Sequence, residues 1–219
     1  MKQLFLPIFF CLLAVSQGFA QNYTSAKDSD PEAISLLTKA GQSFTSKNAQ
    51  VNFKLKVTFP GEEPIVSDGI LYQAGKAYNL NLKDYSIISD GSVRWVYLKG
   101  PNEVNIYNES NGQDWISPQD FLTLHKSQDL VFMLASTRAD GTSIIEAKPL
   151  KGRFDEFSKF TIGIKNGALS FINALSSDGT RQDMSITSIA YPSTLDTKKL
   201  FTFHPELHPG VTTEDLRLH

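Results

Sequence analysis

The sequence predicts a mainly β protein in which one antiparallel sheet of about eleven strands curls toward a barrel or a sandwich and is covered by separate helical pieces. Two observations carry this expectation. Apolar and polar residues alternate in stretch after stretch, as in Val51, Phe53, Leu55, Val57 and Phe59 set against Asn52, Lys54, Lys56 and Thr58, which is the period-two pattern of a half-buried strand. Between such stretches stand Pro60-Gly61, Ala74-Gly75-Lys76, Asp90-Gly91, Asn166-Gly167 and Asp178-Gly179. Glycine, and less readily Asn or Asp, takes the positive φ that tight hairpin turns require.

In chain order, Asp30-Pro31-Glu32 opens a helix: Asp30 caps it, Pro31 suits its first position, and Glu32 sits at the positive end of the dipole. Ala33, Ile34, Leu37, Ala40, Gly41 and Phe44 then form its apolar stripe. The strand from Val51 to Phe59 follows, returned by Ile65 to Gln73, and then by Tyr78, Leu80 and Leu82 alternating with asparagine and lysine. Ile87 to Tyr97 reads as a central hairpin around Ser89-Asp90-Gly91, and Val104 and Ile106 continue the meander. After Gly112 the pattern changes. Ser117 and Pro118 predict a second helix start leading into Phe121, Leu122 and Leu124, and the apolar run Leu130 to Leu134 is expected to be a further short helical piece. Strands resume at Gly141 to Pro149, Phe157 to Lys165, Ala168 to Ser176 and Gln182 to Ala190, and Phe201 to Phe203 is expected to close the sheet.

The first 20 residues are expected to be a signal peptide. Met1-Lys2 carries a positive charge, Leu4 to Val15 is apolar, and Gly18-Phe19-Ala20 places small residues where a signal peptidase reads, predicting cleavage after Ala20. Pro7 interrupts an apolar run that falls short of the roughly 20 residues of a membrane span. Residues 21–219 then form a single domain. The one cysteine, Cys11, lies inside the leader behind Phe10, where a lipoprotein signal would place a small residue. The mature chain is thus expected to hold together by its core, without disulfide or lipid anchor. A formal net charge of −2 and the lack of a basic run argue against a nucleic-acid partner or polybasic membrane attachment.

Catalytic chemistry is hard to find. There is no Gly-x-Ser-x-Gly elbow and no mature cysteine. His204 and His208 have the spacing of a metal pair, but Pro205 lies between them in an extended context, so a solvated tail is the plainer reading and no metal site is expected. Asp84, Asp90 and Asp178 adjoin turns, where Asp is at home for backbone reasons. Trp95 and Tyr97, two positions apart and so on one face, either fill a core or line a ligand cavity, and pattern leaves both open.

Ile87-Ile88-Ser89-Asp90-Gly91 with Trp95-Val96-Tyr97, then Phe132-Met133-Leu134-Ala135, then Phe201-Thr202-Phe203 ahead of Pro209-Gly210-Val211-Thr212 occur in an order and spacing that resemble the LolA family, the periplasmic carriers of outer-membrane lipoproteins. The resemblance implies an incomplete antiparallel β-barrel of about 11 strands with three covering α-helices. It implies acyl-chain binding without catalysis or cofactor. The partners would be acylated lipoproteins, an inner-membrane ABC transporter that releases them, and an outer-membrane receptor. One departure stands out: where well-studied members carry an arginine that ties the lid to the barrel, this chain reads Tyr72-Gln73-Ala74-Gly75-Lys76-Ala77-Tyr78, with Lys76 as the nearest cation, and an ammonium lacks the planar fork of a guanidinium.

The expectation is thus a monomeric periplasmic chaperone whose acyl cavity is lined by Phe53, Leu55, Val57, Leu71, Tyr78, Leu80, Leu82, Trp95 and Tyr97, under a helical lid that includes Leu37, Leu122, Phe132 and Met133. Val96 and Leu98 are apolar too, so the inward face of the Trp95 strand is open. The alternative is a lipid or lipoprotein sensor of the same fold acting through protein contacts. A secreted hydrolase and a structural module with a filled core are more distant readings.

Overall fold

The computed structural model describes residues 24–109, 124–150 and 154–217. The expected signal peptide, the helix start at Ser117 and the lid residue Leu122 lie outside them. Twelve strands form a single sheet: β1 (Ala49–Thr58), β2 (Ile65–Ala74), β3 (Ala77–Asn81), β4 (Tyr85–Ser89), β5 (Val93–Leu98), β6 (Glu103–Asn108), β7 (Leu130–Thr137), β8 (Ser143–Pro149), β9 (Phe157–Lys165), β10 (Ala168–Ser176), β11 (Arg181–Ala190) and β12 (Thr212–Asp215). Their order is β12-β6-β5-β4-β3-β2-β1-β11-β10-β9-β8-β7. The meander β1 to β6 therefore joins the meander β7 to β11 through a single seam, β1 against β11. Among the described residues β7 and β12 do not pair with each other, so the sheet stays open.

Turn chemistry accounts for the hairpins. In the β4–β5 turn Gly91 takes φ +92°, and the Asp90 carboxylate accepts the N–H groups of Ser92 and Val93, both at 2.8 Å. Asn166 and Gly167 take φ 51° and 73° between β9 and β10, as a tight hairpin demands.

Helix α1 (Pro31–Thr45) begins as its sequence requires, with the Asp30 carboxylate accepting the Glu32 N–H at 2.8 Å and Pro31 at the first position. Ala33, Leu37 and Ala40 bury into a cluster with Leu130, Phe132, Ile145, Phe160, Ile162 and Ile172. Phe44, farther along the helix, joins a second cluster with Val51, Phe53, Leu71, Tyr78 and Ile87. One amphipathic helix thereby covers the junction of the two meanders.

Three expectations are corrected. Leu130 to Leu134 is strand and not helix: it lies in β7, paired with β8. Its continuous apolar run arises because Leu130, Val131 and Phe132 are all buried, so two-sided burial erases the alternation that would have identified a strand. Phe201 to Phe203 is not a strand either. It follows a short helix, α2 (Thr197–Leu200), and packs its two rings into the sheet instead of pairing along it. Finally there are 12 strands, and the last is parallel to β6; α1 and α2 are the α-helices among the described residues.

Candidate functional site: one apolar face of the sheet

Cross-strand register decides which side chains share a face. Val51 stands opposite Leu71 and Ile189, Leu71 opposite Leu80, Leu80 opposite Ile87, and Ile87 opposite Val96. In the other meander Ile172 stands opposite Met184 and Ile162, Ile162 opposite Ile145, and Ile145 opposite Leu134. All of these lie on the face that carries α1. The result is an apolar inner face running from β7 across the seam to β5. The outer face of the seam carries Asn52, Lys54 and Lys56 instead, and Lys54 and Lys56 pair with Asp68 and Asp183.

On this inner face Phe53 lies against Gly69 of β2: a methyl at Gly69 would stand 2.3 Å from the ring. Glycine is required here because the aromatic side chain occupies its neighbour's place. Leu55 and Leu80 flank the cluster half-buried, and Val57 continues the same parity.

At the β2–β5 end the face becomes polar. Gln73, Ser89 and Arg94 are 1%, 0% and 7% exposed. The Ser89 hydroxyl donates to one oxygen of Glu109 at 2.7 Å, and the Tyr78 hydroxyl donates to the other at 3.2 Å. Ser89 also accepts the Gly91 N–H at 3.0 Å, tying the hairpin turn to this network. The Arg94 guanidinium lies 5.1 Å from the centre of the Tyr107 ring, on a strand position opposite Ser89. At the opposite end of β4, burial pushes the Tyr85 hydroxyl above its ordinary pKa. Desolvation lowers the Lys99 amine, with Asp84 acting in the opposite sense.

Of the residues expected to line a cavity, Phe53, Leu55, Leu71, Tyr78, Leu80 and Leu82 are brought together in one cluster. Trp95 and Tyr97 are not among them. Their register partners Ile88 and Val104 place them on the outer face, where they pack with Phe203 and Val211. Val96 faces inward on β5, together with Arg94 and Leu98, which settles the parity that sequence left open. Leu37 covers the inner face from α1. Phe132 and Met133 belong to β7 and not to a helical lid; Phe132 points inward beneath α1, while Met133, its neighbour on the strand, points outward.

Lys76 is exposed in the β2–β3 turn. The buried cation on this face is Arg94, a residue absent from the expected site. The available signal was parity: Arg94 shares its side with Val96 and Leu98. Among the described residues no group of three or more His, Cys, Asp or Glu could hold a metal ion. His204 instead meets Glu206 at 2.9 Å, and His208 stacks on Phe203 with ring centres 5.0 Å apart.

No family profile matches the chain, and no curated protein matches it in sequence. Its fold is similar to that of an uncharacterized conserved protein from Thermus thermophilus, at 9% identity and a TM-score of 0.57 over 84% of this chain and 99% of that one. More distant structures include a DUF1329 family protein from Desulfovibrio piger, at 14% identity and a TM-score of 0.46 over 80% and 98%. Another is the LolA superfamily protein NE2245 from Nitrosomonas europaea, at 13% identity and 0.41 over 78% and 97%.

Proposed function

We propose that this chain is a periplasmic carrier that receives the acyl chains of lipoproteins on the inner face of its sheet and moves them from an inner-membrane ABC transporter toward the outer membrane. It works as a monomer, without catalysis or cofactor, and hands its cargo to an outer-membrane receptor. The observation that carries this reading is the apolar inner face: from β7 across the seam to β5, cross-strand register gathers apolar side chains on the face that carries α1, and that one amphipathic helix covers only part of it. The ordered motifs that resemble the LolA family support it as well.

The energetics suit reversible carriage. Each buried CH₂ contributes about 0.8 kcal/mol, so a sixteen-carbon chain wholly removed from water is worth roughly 12 kcal/mol. A carrier has to approach that figure without greatly exceeding it, and a ligand that must part α1 from the sheet gives some of it back. No helix among the described residues is long and apolar enough to cross a membrane.

Crosslinking the exported protein in cells, followed by mass spectrometry of what is recovered, tests the proposal. Acylated polypeptides are the expected cargo. Recovery of neither lipid nor acylated protein would sink it.

A further inference from the structure

The β1–β2 hairpin leaves half a strand edge open. β1 is paired along both of its sides, with β11 and with β2. β2 runs from Ile65 to Ala74, whereas its pairing with β3 spans only Ile70 to Ala74. Among the described residues no strand lies along the other side of Ile65–Gly69. Backbone groups on such an edge are a template for a further strand.

The terminal edge at β7 is treated differently. The Asp30 N–H donates to the Phe132 carbonyl at 2.8 Å, the Phe132 N–H donates to Ser29 Oγ at 3.1 Å, and the Leu134 N–H reaches the Asp30 carboxylate at 3.4 Å. The chain entering α1 therefore seals that edge. The β2 edge has no such seal among the described residues, and its apolar side chains are out in solvent: Ile65 and Val66 are 57% and 58% exposed, with Phe59 at 40% on the same hairpin.

Its charges indicate what fits there. Glu62 and Glu63 are exposed in the connecting turn, and Asp68, with its side chain 82% exposed, stands on the outer face beside Lys54. Edges guarded against pairing carry lysine or proline within the strand, and Ile65–Gly69 has neither. A second copy of this edge would bring carboxylates toward carboxylates, and an anionic lipid surface would meet the same repulsion. On the inner side Ile65 and Ser67 offer an apolar and a small neighbour; on the outer side Val66 and Asp68 offer an apolar and an anionic one.

We propose that the β2 edge from Ile65 to Gly69 receives an extended, cationic peptide segment of a partner protein as an added strand, with its apolar residues on the inner side and its basic residues on the outer side. Main-chain bonds supply affinity, and the alternation of side chains supplies selectivity. This docking surface does not depend on acyl-chain binding.

Titrating the whole isotope-labelled protein with the peptide Lys-Val-Lys-Val-Lys-Val, while following amide exchange, tests it. The expected result is about tenfold or greater slowing of exchange at amides within Ile65–Gly69. A Lys-Pro-Lys-Pro-Lys-Pro peptide, which keeps the charge but cannot pair as a strand, should give none. Asp68→Lys should weaken the Lys-Val peptide about fivefold with an unchanged circular dichroism spectrum. Absence of protection overturns the proposal, as does equal binding of the proline peptide. Protection that grows with protein concentration in the absence of peptide would also overturn it, assigning the edge to a second copy.

Discussion

Phe53 and Gly69 occupy directly opposed positions on β1 and β2, and the ring of the first fills the space that any side chain on the second would need. Both belong to the inner face, so the pair fixes the packing of the second core cluster at its centre. Gly69→Ala should force the Phe53 ring from a buried site and destabilise the protein by about 1–3 kcal/mol. The midpoint of urea unfolding checks this, and an unchanged midpoint would mean that the ring yields freely.

The polar end of the inner face depends on one carboxylate. Glu109→Ala removes the acceptor that Ser89 and Tyr78 share, and Ser89 is fully buried. A buried hydroxyl deprived of its acceptor costs about 1–3 kcal/mol. Glu109→Gln keeps an oxygen and should cost less, and thermal unfolding of the two variants orders them.

Parity separates binding from stability. Leu55 faces inward at the border of the second cluster, while Lys56 faces outward beside Asp183. Leu55→Glu should weaken binding of an environment-sensitive fatty-acid dye at least tenfold, equivalent to about 1.4 kcal/mol. Lys56→Glu should leave dye binding nearly unchanged. Equal losses from both would place the lipid elsewhere.

The outer face predicts the reverse pattern. Phe203 packs on Tyr97 with ring centres 5.3 Å apart and on His208 at 5.0 Å. Phe203→Ala should cost about 3–5 kcal/mol of stability and leave the affinity of the remaining folded protein for the dye intact. A selective loss of dye binding would contradict the assignment of faces.

His204 makes the C-terminal segment sensitive to pH. The Lys198 carbonyl, and after it the Glu206 carboxylate, raise its pKa above the ordinary value near 6.5. A group raised on folding stabilises the fold fully below its unfolded pKa and loses that effect as pH rises through its folded pKa. Compared with His204→Ala, the wild-type protein should therefore lose relative stability from about pH 6.5 upward. A difference between the two that stays constant across this range would show that His204 is not coupled to folding.

Much of the architecture can be read in the chain. The alternation from Val51 to Val57 and the turns at Asp90-Gly91 and Asn166-Gly167 specify strands and hairpins through local sterics, and Asp30-Pro31 specifies the start of α1 through capping. The departures are of one kind. Leu130 to Leu134 looks helical because it is buried on both sides, and Phe201 to Phe203 looks like a strand because its two aromatics alternate. In neither case does local sequence say what lies across from the segment.

By itself the sequence determined most of the element types, most of the turns and the existence of an apolar face, since these follow from residue chemistry at short range. The tertiary structure decided which residues share that face. Trp95 and Val96 are adjacent and both apolar, and only the register of β5 on β4 sends Val96 inward under the helix-bearing face and Trp95 outward against the C-terminal segment. The same pairing buries Arg94 beside the Glu109 network, and the short reach of β3 along β2 leaves Ile65–Gly69 open. The hairpin pairings are local, but which face α1 covers and which the C-terminal segment covers depends on contacts between residues far apart in the chain, such as those that bring Phe44 into one cluster with Ile87 and Phe203 onto Tyr97.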